Sequence, residues 1–385
     1  MLKENIQRLL AKNLYANKIA YDWLFNKRTS IIQNLVDNFK NDDYLTSVEK
    51  LKVFKEKIDK DSLIFFTRNI TWNNLHIYGI WEGLFSNYIS NSNEYFKSPA
   101  IEHGLIFHNE VYRDVRYTAR MSCATFSNFR KEIIQSKFKI PVFCVGPYIN
   151  YSSFFYDQNY INLKKKNFGK TLLVFPTHST DSADIDVNQN LFCSNLKKIA
   201  TNFDTVLINT FWWNINDPLT YKLESEGYKI ISCGFRDDVS FLPRLKSYFE
   251  ISDLVMGDSI GTHVGYALSC NIPFCYVPSG TKVELKLVDE IKDLDFVKKQ
   301  QNKIAAAFLW SDSITEKQKE LCNYYWGNNL IKSKEEIKEI VEINNDLIKM
   351  TYGFTGLTYY MAKKLLKKYY HEDDFVKYKL LKDAL

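Results

Sequence analysis

The sequence predicts an α/β protein of two Rossmann-like halves, with a helical segment before the first and helices after the second. Three observations carry this. Strand-like and helix-like runs alternate with short connections from Thr171 onward, the pattern of a parallel sheet with crossover helices. Short apolar runs end in polar clusters at Glu102-His103-Gly104, Thr177-His178-Ser179 and Gly257-Asp258-Ser259, as at the carboxyl ends of parallel strands. A chain of 385 residues also exceeds what one core organises, so two domains are expected.

Residues 1–60 form the N-terminal helical segment, with apolar positions at helical spacing (Ile6, Leu9, Leu10; Ile31, Ile32, Leu35, Val36). The first α/β half spans 61–160. It holds a candidate strand at Leu63–Phe66, a helix around Gly79 to Tyr88, a strand end at Ser98–Gly104 and a strand at Ile140–Val145, closed by Gly146-Pro147. Tyr151–Lys170 is aromatic, then basic, then glycine, which makes it the linker candidate.

The second half spans 165–345. Its strands are expected at Thr171–Phe175, Thr205–Ile208, Tyr228–Ser232, Leu254–Met256 and Phe274–Val277. Its helices are expected at Asn190–Asn202, Pro218–Gly227, Phe241–Phe249 and through Val264–Leu268. The stretch Ser252–Gly280 is the most informative, a βαβ unit in under thirty residues. Residues 346–385 are the C-terminal helices. Lys334–Lys349 and Gly356–Tyr370 are the clearest helical patterns, and Ser333 with Glu336 makes a capping box for the former.

Lys and Arg number 51 against 45 Asp and Glu, a net charge of +6. That suits anionic ligands or a membrane surface and falls short of a nucleic-acid signature. The seven cysteines form no CxxC pair and read as reduced core thiols. No signal-like stretch and no apolar run of about eighteen residues is present, so a cytoplasmic protein is expected.

Three clusters are candidate sites. At the first, His103 suits a general base near neutral pH, with Glu102 orienting it or acting instead. At the second, Thr177, His178 and Ser179 suit contacts to phosphate oxygens, or else form a polar turn. At the third, Gly257, Asp258, Ser259, Gly261, Thr262 and His263 surround a helix start, where free N–H groups and the positive helix dipole favour phosphate. Ser259 is there either a ligand contact or a helix cap, and His263 faces either the ligand or the sheet. Arg236, beside Asp237 and Asp238, is a weaker candidate for a pyrophosphate contact. GxGxxG after a strand, GxxxxGK[ST], GxSxG and HExxH are all missing, which argues against dinucleotide oxidoreductases, P-loop enzymes, α/β-hydrolases and zinc proteases. The six histidines show no metal spacing.

The order of these motifs resembles the bacterial GT-B glycosyltransferases of capsule and lipopolysaccharide synthesis. The resemblance lies in the Glu102-His103-Gly104 turn, in TLLVFP followed by Thr177-His178-Ser179, and in Ser252-Asp253-Leu254, Asp258-Ser259, Tyr266-Ala267-Leu268 and Asn271-Ile272-Pro273. It implies transfer of a sugar from a nucleotide-activated donor to a surface-polysaccharide acceptor, without a metal or resident cofactor. The acceptor would be a glycan or lipid-linked glycan, with peripheral association at the inner membrane face through Lys363, Lys364, Lys367 and Lys368. One departure stands out. The acidic residue that many such enzymes use for the donor ribose would fall near Gly265-Tyr266, and neither is acidic. The alternatives are a CDP-glycerol-type polyol-phosphate transferase on the same fold, a sugar-nucleotide epimerase or hydrolase, and a non-catalytic glycan-binding protein.

Overall fold

The computed structural model describes residues 30, 34, 48–60, 77–89, 97–111, 115, 121–178, 183–285, 293–352 and 375–385. Helix α1 (Val48–Lys60) packs on the second half. Val48 and Leu51 join Phe192 and Leu196 in one apolar cluster, and Lys52 Nζ lies 4.3 Å from the Tyr221 ring centre. The remaining helical pattern of residues 1–47, apart from Ser30 and Asn34, and the candidate strand Leu63–Phe66 lie outside the described residues. The helix expected around Gly79 is α2 (Ile80–Leu84), with a 3-10 turn on each side. Gly79 has φ of +71°, and a Cβ there would sit 2.1 Å from the Val239 carbonyl oxygen. The two halves touch at this point with no room for a side chain.

The first half contains β1 (Ala100–Ile101), β2 (Cys123–Thr125), α3 (Asn128–Lys137) and β3 (Val142–Cys144). The three strands form a parallel sheet in the order β1-β2-β3. β2 escapes a sequence reading because its Cys-Ala-Thr sequence is not the β-branched or aromatic run that marks a strand. The expected linker is largely helix, α4 (Gln158–Phe168). Asp157 caps it, accepting from the Tyr160 N–H at 2.9 Å, and Gly169 ends it at φ of +60°. Lys165 and Lys166 are on its outer face, and Lys165 pairs with Glu250 at 2.8 Å.

The second half runs β4 (Thr171–Phe175), β5 (Ala183–Asp186), α5 (Gln189–Ala200), β6 (Thr205–Asn209), α6 (Pro218–Ser225), β7 (Lys229–Ile231), α7 (Phe241–Ile251), β8 (Leu254–Gly257), α8 (Thr262–Ser269), β9 (Phe274–Tyr276) and β10 (Lys282–Leu285). Five strands form one parallel sheet in the order β7-β6-β4-β8-β9, and β5 pairs with β10 antiparallel. Helices cover both faces, so the strands are apolar runs without alternation. Leu172, Leu173, Val174, Val255 and Met256 are closed to solvent. The chain begins at the centre with β4, winds out through β6 and β7, then returns to place β8 and β9 on the other side. The direction reverses between β4 and β8, where open α/β sheets carry their ligand crevice.

Helices α9 (Leu294–Phe308), α10 (Glu316–Tyr325), α11 (Lys334–Tyr352) and α12 (Phe375–Ala384) follow. Glu336 N–H donates to Ser333 Oγ at 3.2 Å and Ser333 N–H to Glu336 Oε2 at 2.8 Å, completing the capping box of α11. Side-chain hydrogen bonds bind these helices to the first half. Ser122 Oγ donates to Asn344 Oδ1 at 2.7 Å, and Gln135 Nε2 donates to the Ala384 carbonyl at 2.7 Å. Residues 353–374, with the four lysines of the expected membrane contact, lie outside the described residues. Among the described residues no helix is long and apolar enough to cross a membrane.

Gly265 explains one departure from the resemblance. It faces Trp326, whose side chain is fully buried, and a Cβ on Gly265 would lie 2.1 Å from the indole. No side chain fits, acidic or otherwise. In an ordinary helix, replacing Gly by Ala stabilises by about 1 kcal/mol. Here Gly265→Ala is expected to destabilise by about 1–3 kcal/mol through overpacking. Thermal or urea melts check the sign, and a gain in stability would contradict the close packing.

Candidate active site

The crevice is a cavity of about 460 Å³ between the halves. The second half lines it with the carboxyl ends of four strands: Phe175–His178 after β4, Asn209–Phe211 after β6, Ser232-Cys233 after β7 and Ser259 after β8. The start of α8 and Tyr266 add to this wall, and His103–Ile106 with Tyr78 come from the first half.

Helix α8 opens into the cavity. Its N-cap is Gly261 in extended conformation, and no side chain caps it. The Val264 N–H donates to the Gly261 carbonyl at 3.2 Å, which leaves the Thr262 and His263 N–H groups and the positive end of the dipole to an anion. Ser259 lines the cavity and does not cap the helix, which removes the capping alternative. Thr262 Oγ1 accepts the Leu105 N–H at 3.0 Å. That bond joins the α8 start to the loop carrying His103 and leaves the Thr262 hydroxyl proton free to donate. His103 and Gly104 thus stand beside the helix N-terminus.

Other candidates have different work. Glu102 is fully buried with Arg130. Its carboxylate accepts from Arg130 Nη2 at 2.6 Å, from Nε at 3.1 Å and from Thr125 Oγ1 at 2.7 Å. A carboxylate so occupied and shut from the cavity is a structural anchor, so the expectation that Glu102 acts as a base is corrected. Asp258 is also corrected as a donor contact. One oxygen accepts the Thr177 N–H at 2.7 Å and the Thr177 hydroxyl at 2.6 Å, and the other accepts Ser279 Oγ at 2.6 Å and Thr281 Oγ1 at 3.1 Å. It fastens the loops after β4, β8 and β9 together.

Gly257 does not line the cavity. A Cβ there would lie 3.0 Å from His263 Nε2 and 3.1 Å from Phe274, so its role is to make room for the imidazole. Arg236 is likewise outside the lining. Its Nε lies 3.6 Å from Asp237 Oδ2, and its carbonyl accepts the Tyr78 N–H at 2.5 Å. Arg236 is thus a half-buried partner of Asp237 rather than an exposed surface pair or a cavity contact, and its backbone positions Tyr78. Ser179 lies outside the described residues.

The two histidines of the second half are ring-packed. His178 stacks on Phe211 with centroids 4.2 Å apart. His263 stacks on Phe175 at 5.1 Å and meets Phe274 edge-on at 5.3 Å. Part of His263 reaches the cavity, but its Nε2 is buried without a hydrogen-bond partner. Burial first, then the nearby His178, push its pKa down to about 4, against a smaller opposing effect of a hydrogen bond with the Ser259 backbone. His263 is therefore neutral near pH 7 and brings no positive charge to a phosphate. Cys233 is no nucleophile either, since burial holds its thiol protonated.

Sequence reasoning missed Asn209, Thr210, Phe211, Ser232, Cys233 and Tyr78. The first five follow β6 and β7, so the strand-end rule applied at β4 and β8 reaches them too. Tyr78 has no such signal. It holds φ of +63°, rare for a non-glycine residue, and its ring packs on Phe241 at 4.6 Å.

Comparison with known proteins finds similarity in structure alone. No protein-family model matches the chain, and no curated protein is similar to it in sequence. Among solved structures, the wall teichoic acid polymerase TagF aligns at 15% identity and TM-score 0.35, over 60% of this chain and 59% of that one. A putative UDP-N-acetylglucosamine 2-epimerase from Listeria monocytogenes aligns at 12% and 0.34, over 63% and 61%. The S. aureus MnaA–UDP structure aligns at 12% and 0.35, over 64% of each chain. This chain thus matches about three fifths of the length of these neighbours.

The titration of His263 makes the fold pH-sensitive. Its folded pKa of about 4 lies below the ordinary 6.5. Between those values the unfolded chain binds a proton that the folded chain refuses, so stability rises with pH there. The contribution is intact above about pH 6.5 and is lost on acidification, on the order of 2–3 kcal/mol by pH 4. His263→Phe, which keeps the stacking, is expected to flatten that part of the stability profile. Chemical denaturation of both proteins from pH 7 to pH 4 measures it, and parallel profiles would contradict a buried neutral imidazole.

Proposed function

We propose that this chain is a glycosyltransferase that moves a sugar from a nucleotide-activated donor to a glycan acceptor of a cell-surface polysaccharide. One observation carries the reading: the uncapped start of α8, at the point where the sheet reverses, opens into the cavity beside His103. The donor phosphates accept from the Thr262 and His263 N–H groups of α8 and from the hydroxyls of Ser259 and Thr262. His103 takes the proton of the acceptor hydroxyl as its oxygen attacks the anomeric carbon. The bond from that carbon to the phosphate oxygen breaks, and the nucleotide phosphate leaves with the electron pair. The helix N-terminus stabilises the departing charge, so no divalent ion takes part and EDTA leaves turnover unchanged. His178 and Phe211 offer an aromatic face to the nucleoside. The acceptor is a glycan or lipid-linked glycan, which would bring the protein to the inner membrane face.

Thermal shift with UDP-, GDP-, CMP- and CDP-linked compounds tests the site, because a ligand that binds the folded state raises its melting temperature. One class is expected to stabilise the protein. Ser259→Ala should weaken that compound by about 1.5–3 kcal/mol, the scale of a hydrogen bond to a charged group, with little loss of fold stability. His103→Ala should lower turnover about 10²–10⁴-fold while the compound still binds. A panel without any stabilising member would sink the donor site, and wild-type turnover in His103→Ala would remove the base.

A further inference from the structure

We propose that a second cavity, outside the catalytic cleft, binds an acidic stretch of the acceptor glycan, that is, sugars or polyols bearing carboxylate or phosphate. The cavity measures about 290 Å³ and lies against β7, the edge strand of the large sheet, where a long ligand meets no covering strand. This inference rests on the proposed glycosyl transfer only in naming the bound glycan as the acceptor.

The chemistry of the walls selects the ligand. Tyr156 and Tyr160 stack with centroids 4.4 Å apart, and Tyr248 meets Tyr156 edge-on at 6.3 Å. Aromatic faces of this kind suit the C–H faces of sugar rings, which bury apolar area while their hydroxyls reach out to polar groups. Two cations converge on the Phe168 ring in the same cavity: Lys164 Nζ at 5.5 Å and Lys229 Nζ at 5.8 Å from its centre. They come from different elements, α4 and β7, and Lys164 Nζ also lies 4.9 Å from the Tyr160 ring centre. Glu224 is the acidic residue on the rim, an acceptor for sugar hydroxyls. Two lysines above one ring, beside stacked tyrosines, suit a ring or polyol unit with a negative substituent better than a neutral sugar or a flat hydrophobic ligand.

Its place relative to the cleft supports the same occupant. Leu242 and Leu245 of α7 line the cleft, while Tyr248 and Ile251 of the same helix line the second cavity. Ile231 ends β7 in the second cavity, and the next two residues, Ser232 and Cys233, line the cleft. The two spaces therefore share one helix and one strand end. A polymer with its growing end beside His103 can lay earlier units along the β7 edge into the aromatic cavity.

The test is calorimetric titration of the full chain with four probes: oligogalacturonate, a glycerol-phosphate oligomer, neutral maltohexaose and polyaspartate. Binding of one of the first two is expected to exceed maltohexaose and polyaspartate by about tenfold or more, and to weaken with salt. Which one binds tells carboxylate from phosphate chains. Lys229→Glu, on the exposed edge, and Tyr160→Phe then Tyr160→Ala are expected to follow: a loss of about tenfold or more for the charge reversal and for Ala, and little for Phe. Nucleotide-induced stabilisation should stay at the wild-type value in all three, which keeps this site separate from the donor site. A protein that responds to nucleotide but binds neither acidic oligomer, equal affinity for polyaspartate, or affinity untouched by Lys229→Glu would each overturn the proposal. Lys229-dependent binding in a chain that ignores every nucleotide would uphold the site and defeat the transfer reading.

Discussion

Glu102 and Arg130 meet at zero solvent exposure, and the loop that carries His103 is built around their ion pair. Each Arg130 nitrogen is engaged. Nε and Nη2 hold the carboxylate, Nη1 donates to the carbonyls of Ile106 at 3.2 Å and His108 at 2.7 Å, and Nη2 also donates to that of Glu110 at 3.1 Å. A loop from 102 to 110 has few backbone partners of its own, and buried carbonyls need donors. The guanidinium supplies them from one rigid fork. Tyr148 closes the arrangement by donating to the Glu102 carbonyl at 2.7 Å. Loss of one member would leave the other charge buried alone, which costs about 3–5 kcal/mol. The position of His103, and through the Leu105–Thr262 bond the approach of the two halves, follows from this pair.

The opposite wall uses the same device with a different partner. Asp258 is satisfied by a backbone N–H and three hydroxyls rather than by a cation. It draws together three loops that leave the sheet at neighbouring strand ends. Both walls of the cleft are thus fixed from behind by buried carboxylates, and neither carboxylate reaches the cavity. What faces the cavity is mostly neutral: hydroxyls, an uncapped helix start, stacked imidazoles and aromatic rings. Such a surface presents oriented dipoles rather than, among the described residues, a charged side chain. The helix start favours an anion by position, and the two carboxylate networks hold the loops around it in place. The one strained backbone in the wall, at Tyr78, is over-determined by its N–H bond to Arg236 and by Phe241, as sparsely populated conformations at sites usually are.

The sequence by itself determined the alternation of strands and helices along the five-stranded sheet of the second half, because its apolar runs end in glycine, proline or a polar cap, while the antiparallel pair β5 and β10 was not foreseen. Thr171–Phe175 and the capping box at Ser333 were legible to the residue. So was the rule that polar residues at strand ends gather at one edge of a parallel sheet, and His103, Thr177, His178, Ser259, Gly261 and Thr262 do line one cavity. Local pattern did not show that Tyr151–Lys170 is mostly helix, since its lysines and terminal glycine have the composition of a linker as well as of a helix surface. β2, with its Cys-Ala-Thr sequence, was not seen, whereas β1, β3, β7 and β9 are as short and were read from apolar runs closed by turn residues.

Only the tertiary structure decided which polar residues look outward. Glu102 and His103 are neighbours in sequence, and so are Asp258 and Ser259, yet one of each pair is buried in a network and the other lines the cavity. Adjacent side chains at a strand end leave in different directions, and the choice between them depends on Arg130, Thr125, Ser279 and Thr281, which arrive from distant parts of the chain. The same holds for Gly265, whose missing side chain is explained by Trp326, and for the neutrality of His263, set by the Phe175 and Phe274 rings that enclose it. Charge and hydrogen-bonding type are written in the sequence. Solvent access and partners, which turn a carboxylate into an anchor and a histidine into a packed ring, exist only once the chain has folded.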